Sequence, residues 1–129
     1  MIKKIATFTV DGNPRPKERP RFGRGRGYTT EATKAAEALV ASSFRSNLGI
    51  RHTIETPTTA PLRIRLRFFR DNRRRVDLDN LSKIPLDALN KLAWADDSQI
   101  VSLIASKHLD LDQPRTEVEI WTVGDQGCE

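Results

Sequence analysis

The residues able to do chemistry crowd into VDLDNLSKIPLDALN, residues 76–90. Three aspartates, Asp77, Asp79 and Asp87, surround one lysine, Lys83, and Arg70, Arg73, Arg74 and Arg75 run just ahead of them. Asp77 and Asp79 are two apart, so if Asp77 ends an extended segment both carboxylates can point to one side. Carboxylates that converge without a cation repel each other. A divalent cation removes that repulsion, and hard oxygen donors suit magnesium or manganese. Asp96-Asp97, where the next helix returns the chain toward the sheet, can supply a third carboxylate. Lys83 lies one helical turn beyond Asp79, where its ammonium can reach a phosphate oxygen or a developing anion. Carboxylates, a lysine and a metal within a basic surface match metal-assisted phosphodiester hydrolysis. The basic surface would hold a polyanion and the acidic pocket the metal.

The same spacing has a plainer reading. Asp79 can be a helix N-cap and Asp77 an exposed loop residue. Asp79, Lys83 and Asp87 can be a solvated i, i+4 ladder. A calcium loop starting at Asp77 would need Gly at 82 and a carboxylate at 88, where Ser82 and Ala88 stand. GRGRG is followed by no G-K-S/T and is not a nucleotide fingerprint.

The elements that must position these residues follow from hydrophobic periodicity. Residues 5–10 alternate as a strand. Residues 12–29 form a basic flexible loop, in which GNPRPKERPRFGRGRG holds three prolines and four glycines, a composition that opposes regular structure. Thr30 can cap a helix over 31–48, stopped by Gly49, with Ala32, Ala35, Ala36, Leu39 and Phe44 along one face. Residues 51–61 read as a polar connection. Strand 62–68 places Leu62, Ile64, Leu66 and Phe68 on one face and Arg63, Arg65 and Arg67 on the other, wet face. A helix over 79–92 carries the stripe Leu81, Ile84, Ala88, Leu89 and Leu92. Pro85 implies a kink there or an irregular first turn. Strands 99–109 and 116–123 read as a hairpin around Asp112-Gln113-Pro114. The expectation is one α+β domain over residues 1–129, with a mixed sheet of about four strands and two packed helices in the order β-α-β-α-β-β.

The chain has 129 residues, enough for one core, and a net charge of +5 with a pI near 9.8. Residues 1–30 hold eight Lys or Arg against Asp11 and Glu18. Such a surplus fits an anionic partner, nucleic acid first. Cys128 is the only cysteine, which excludes an internal disulfide or a cysteine-based zinc site and fits a reducing cytoplasm. The N-terminal apolar run is short and broken by Asp11, so neither a signal peptide nor a membrane span is expected.

The string RRRVDLDNLSK…LDALNKLAWADDSQI resembles the RusA-like Holliday junction resolvases of bacteria and their phages. The shared pattern is D-x-D-N-x-x-K, then D-A-L, then D-D-x-Q, here Asp77-Leu78-Asp79-Asn80…Lys83, Asp87-Ala88-Leu89 and Asp96-Asp97-Ser98-Gln99. The likeness is specific over residues 74–99 and looser over most of the chain. It implies a homodimer, dependence on magnesium or manganese, and paired nicks across a four-way DNA junction in recombination and repair. It implies that Asp77, Asp79 and Asp97 are catalytic metal ligands and Lys83 the catalytic lysine. It also implies a bacterial or phage-encoded protein.

The remaining basic residues sort by position. Arg15, Lys17, Arg19, Arg21, Arg24 and Arg26, with Phe22 and Tyr28 among them, form a candidate phosphate-binding loop with an aromatic wedge, or a solvated loop. Arg73, Arg74 and Arg75 flank the acidic motif and are candidate DNA contacts. Lys107 can project toward the site from the next strand or be an ordinary strand lysine. Trp94 and Trp121 read as core. Two function classes remain: a metal-dependent, structure-selective DNA endonuclease, and a non-catalytic basic DNA-binding or architectural protein with structural aspartates.

Overall fold

A computed structural model describes residues 2–19, 21–23, 26–47 and 56–124, without the side chains of Arg21, Phe22, Arg26 and Tyr28. The expected β-α-β-α-β-β order is present, with one small addition. β1 (Lys3–Asp11) leads into the Pro-rich loop, where β2 (Arg21–Gly23) pairs antiparallel with β3 (Arg26–Tyr28). The glycine-rich stretch therefore does adopt regular structure, as a two-stranded ribbon. Small residues break helices but leave an antiparallel ladder open to the backbone.

Helix α1 (Glu31–Ser46) starts at Thr30, whose hydroxyl oxygen accepts from the Thr33 amide at 3.2 Å. It ends at Asn47, short of the expected 48. Its inward residues are Thr33, Val40 and Phe44, whereas Leu39 is 48% exposed. The buried face is thus rotated from the alanine-based stripe, because Val40 and Phe44 offer more apolar area. Phe44 packs edge-on against Phe8 of β1, ring centres 5.8 Å apart.

β4 (Leu62–Arg70) and α2 (Leu78–Leu89) follow, then a 3-10 turn at Asp97–Gln99, β5 (Ile100–Leu109) and β6 (Arg115–Thr122). α2 runs through a buried Pro85 as one helix and ends before the expected 92. There Asn90 turns extended and Lys91 takes a positive φ of 72°. Trp94 then closes the core, fully buried.

The sheet order is β1-β6-β4-β5. β1 with β6 and β6 with β4 are antiparallel, and β4 with β5 is parallel. The expected hairpin between β5 and β6 is therefore wrong. α2 carries the chain back over the sheet, so β5 lies parallel to β4 at the outer edge. β6 crosses to the inner slot, where its charges decide the partner. Arg65 faces Glu119 and Arg67 faces Glu117 directly across the β4–β6 ladder. Opposite charges in register favour this pairing.

The helices cover one face of the sheet. Ile64, Leu66 and Phe68 of β4 pack there with Val118, Ile120, Leu81, Ile84 and Leu89, each large side chain contributing roughly 2 kcal/mol on burial. The other face carries ion pairs instead of bare cations. Arg65 Nε donates to Glu119 at 2.7 Å and Lys4 to Glu119 at 2.9 Å, and Arg67 forms an ion pair with Glu117 at 2.8 Å. Burial pushes the Glu119 pKa up, but Lys4 and Arg65 together hold it below its ordinary value. Arg65 and Arg67 of β4 are thus committed to β6.

Candidate active site

The turn from β4 into α2 is held by backbone and side-chain bonds. Arg70 donates to the carbonyls of Pro14 at 3.3 Å and Arg74 at 3.0 Å, and the Asp71 amide donates to Asn13 Oδ1 at 3.0 Å. The chain then extends to Asp77, the N-cap of α2, with φ −78° and ψ 136°. Its side chain makes no capping hydrogen bond. The plainer reading placed the N-cap at Asp79, but Asp79 sits inside the first turn. Asp77 and Asp79 are both exposed. Among the described residues no hydrogen bond or ion pair engages either carboxylate, nor the ammonium of Lys83 a turn later.

Lys107 closes one side of this turn. Its ammonium donates to the Val76 carbonyl at 2.7 Å, which fixes the backbone one residue before Asp77. Arg73, Arg74 and Arg75 are exposed beside it, and no guanidinium among them is ion-paired within the described residues. Arg15 and Arg19 are also exposed. Arg15, Asn13, Arg70, Asn72 and Arg74 line a shallow cleft.

Lys17 behaves differently from its neighbours. Its amide donates to the Asn80 carbonyl at 3.2 Å. Its ammonium bonds Asp87 and reaches Glu37 at 3.4 Å. The hydrogen bond to Asp87, against partial burial, raises the Lys17 pKa. Lys17 thus ties the loop to α2 and α1, and Asp87 serves that tie. No sequence pattern links Glu37 of α1 and Asp87 of α2 to this lysine, and the fold brings them together. Arg24 and the side chains of Arg21, Arg26, Phe22 and Tyr28 lie outside the described residues.

Asp96 and Asp97 have distinct roles. Asp96 accepts from the Ser98 amide at 2.9 Å, and the Gln99 side chain accepts from the Asp96 amide at 2.7 Å. This capping box fixes the turn, and the Ser98 hydrogen bonds hold the Asp96 pKa below its ordinary value. Asp97 Oδ1 instead accepts from the indole Nε1 of buried Trp94 at 2.8 Å. Trp94 is therefore an orienting residue as well as core, a function that its type alone did not reveal.

One chain does not bring Asp97 to the other two aspartates. Asp97 precedes Ile100, which pairs with Leu62 at the start of β4, whereas Lys107, beside Asp77, pairs with Phe68 near its end. Six residues of strand separate these rungs, roughly 20 Å. Among the described residues no three carboxylate, histidine or cysteine side chains converge on a metal position.

The endodeoxyribonuclease RusA family model matches residues 11–121. The chain belongs to the RusA family. The matched span runs from the end of β1 through β6, so it takes in both aspartate motifs. A RusA relative from Enterobacteria phage 82, a crossover junction endodeoxyribonuclease, is 31% identical over 82% of this chain and 85% of its own length. Its namesake from Escherichia coli K12 matches with the same identity and coverage. An uncharacterised protein of Bacillus subtilis, YqaN, is 30% identical over 90% of this chain and 95% of its own.

Proposed function

We propose that this chain is a metal-dependent DNA endonuclease that resolves four-way junctions by paired nicks, acting in recombination and repair in the bacterial or phage-infected cytoplasm. The observation that carries this reading is the pair of exposed carboxylates at the head of α2, free of protein partners among the described residues, with Lys83 one turn on and three unpaired arginines just before. A structural aspartate would be spent on a cap or an ion pair, as Asp96 and Asp87 are.

The donor set fits magnesium or manganese. Asp77 and Asp79 offer hard anionic oxygens, and magnesium characteristically takes one or two carboxylates, completing its shell with water and substrate phosphate. Bound there, the cation would supply positive charge to the scissile phosphate and acidify a water. The protein's own part is positioning. Lys107 and the Arg70 contacts fix the backbone that presents Asp77. Lys83 would place its ammonium against a phosphate oxygen or the departing oxygen, where charge develops. Arg73, Arg74, Arg75 and Arg15 would grip neighbouring phosphates and set the register of the DNA. Asp97, freed from capping by Asp96 and held by Trp94, is the third ligand in this reading. Because a junction offers two equivalent strands, the active form is a homodimer with two sites.

The test is a labelled four-way junction and a matched duplex, each incubated with purified protein with and without magnesium. Paired nicks in the junction that require the metal support the reading. Junction binding without nicking at any magnesium concentration would make the protein a non-catalytic DNA binder.

A further inference from the structure

We propose that the groove between α1 and α2 is a nucleobase pocket: one base of the junction leaves its stack, enters the groove, and so sets which phosphate lies at Asp79 and Lys83. This deepens the nuclease reading above and rests on it.

The groove exists because α1 is built small where it borders α2. Ala32, Ala35, Ala36 and Leu39 form one wall, and Leu81, Ile84 and Pro85 of α2 form the other. The alanine stripe that periodicity marks as core is therefore half open. Ala32 and Ala36 are half-buried, and Ala35 and Leu39 are exposed. The space is about 260 Å³, just below the range of clefts that take a drug-sized molecule. That is room for one flat ring system and too little for a helix or a strand. Phe68 lines its floor, with Thr116 opposite it in the β4–β6 ladder. Thr116 is only 7% exposed, and its hydroxyl has no hydrogen-bond partner among the described residues. Apolar walls with one free polar atom at the base suit a heterocycle, which needs faces to stack on and a contact for its edge.

Continuity with the basic cleft chooses the occupant. Asn13 and Arg15 line both the groove and the cleft that holds Arg70 and Arg74. The two are also tied covalently and by hydrogen bonds. Arg70 donates to the Pro14 carbonyl, and Asn13 Oδ1 accepts from the Asp71 amide, which leaves the Asn13 amide N–H groups as donors on the shared rim. Arg15 and Arg74 are exposed, with no ion pair among the described residues. Cations at the mouth and apolar walls behind complement a nucleotide, phosphate outside and base inside. An apolar side chain from a protein partner would gain nothing from those cations. The wall made by Leu81 and Ile84 belongs to the helix that presents Asp79 and Lys83 to solvent. A helix is about 10 Å across, so the held base and the scissile phosphate belong to nearby nucleotides of one strand. Holding the base then selects the bond that is cut. Extrusion costs least where pairing is already interrupted, as at a crossover.

The test places 2-aminopurine, which fluoresces when unstacked, at each position flanking the crossover of a four-way junction. The protein is added in calcium, and fluorescence and acrylamide quenching are read. One position should brighten on binding wild type and be shielded from the quencher. Ala36→Leu and Ala35→Leu fill the groove. Each variant, checked for folding by thermal melting, should lose both signals and bind the intact junction about 10-fold more weakly. With an abasic site at the responding position, variants and wild type should bind alike. Ala35 is exposed, so Ala35→Leu keeps the test decisive if Ala36→Leu fails to fold. Thr116→Val, the same shape without the hydroxyl, should keep the shielding and change the preference among natural bases at that position. The absence of any position both unstacked and shielded would overturn the proposal. So would a folded Ala35→Leu protein with wild-type signals, or filled variants that lose affinity equally for intact and abasic junctions. The nuclease reading fails separately. Wild type that shields a base yet nicks nothing in magnesium removes the cutting and keeps the pocket, whereas nicking without a shielded base removes the pocket alone.

Discussion

Lys17→Ala separates a tether from a phosphate contact. The Lys17 ammonium bonds Asp87 and lies 3.4 Å from Glu37. The side chains of Lys17, Asp87 and Glu37 are 27%, 39% and 24% exposed. Pairs this open are screened by solvent, so each contributes well under 1 kcal/mol and the two together about 1 kcal/mol. For a domain of this size that is a fall in Tm of about 4 °C. A double-mutant cycle with Asp87→Asn should recover most of it as coupling. The Lys17 pKa is raised above its ordinary 10.5, so the contribution is full below that value and is lost as pH rises through the folded pKa. A lysine already neutralised by two carboxylates releases few counterions from DNA. Junction binding, read by fluorescence anisotropy in calcium across a salt series, should therefore keep its log–log slope in Lys17→Ala. Arg15→Ala should flatten the slope by about 0.9 and leave Tm alone. An unchanged Tm with a slope flattened by about 1 in Lys17→Ala would refute the tether.

Three further outcomes follow from the geometry. Glu119→Gln removes the anion that pairs with Lys4 and Arg65; urea melts at pH 7 should show a loss of about 2 kcal/mol, discounted for those half-exposed cations. Burial works against it, yet the Glu119 pKa is net lowered from 4.5, so the difference from wild type should hold above that value and vanish as pH falls through the folded pKa. Lys91→Gly relieves a φ of 72° and should stabilise the fold by about 0.5–1 kcal/mol in the same melts. Asp97→Asn should lose junction cleavage by orders of magnitude in single-turnover assays, while Asp96→Asn, which keeps a capping side chain, should stay near wild type; the reverse pattern would exchange the roles of the pair.

Local elements were legible because local physics sets them. The β4 alternation and the Thr30 cap stood in the sequence as they stand in the fold. Non-local choices were not. Consecutive strands usually pair, so β5 and β6 read as a hairpin. The signal against it was the alternation of Arg65 and Arg67 with Glu117 and Glu119, which matches two strands far apart in sequence. The motif at Asp77 and Asp79 was readable from spacing, and their freedom from partners needed the fold. Asp97 seemed adjacent because a helix returns the chain to the sheet. It does return, but α2 runs counter to β4, so the chain arrives at the other end. Gly49 and Cys128 lie outside the described residues.

In the proposed function Asp77 and Asp79 are the carboxylates that would hold the metal. Single-turnover cleavage of a labelled four-way junction by wild type and Asp79→Asn, across a magnesium titration, tests it most directly. Junction affinity is measured in parallel in calcium. Wild type should cut only with magnesium, and Asp79→Asn should bind the junction at least as tightly yet cut it at least about 100-fold more slowly at every magnesium concentration. An Asp79→Asn protein that cuts at the wild-type rate would contradict the account.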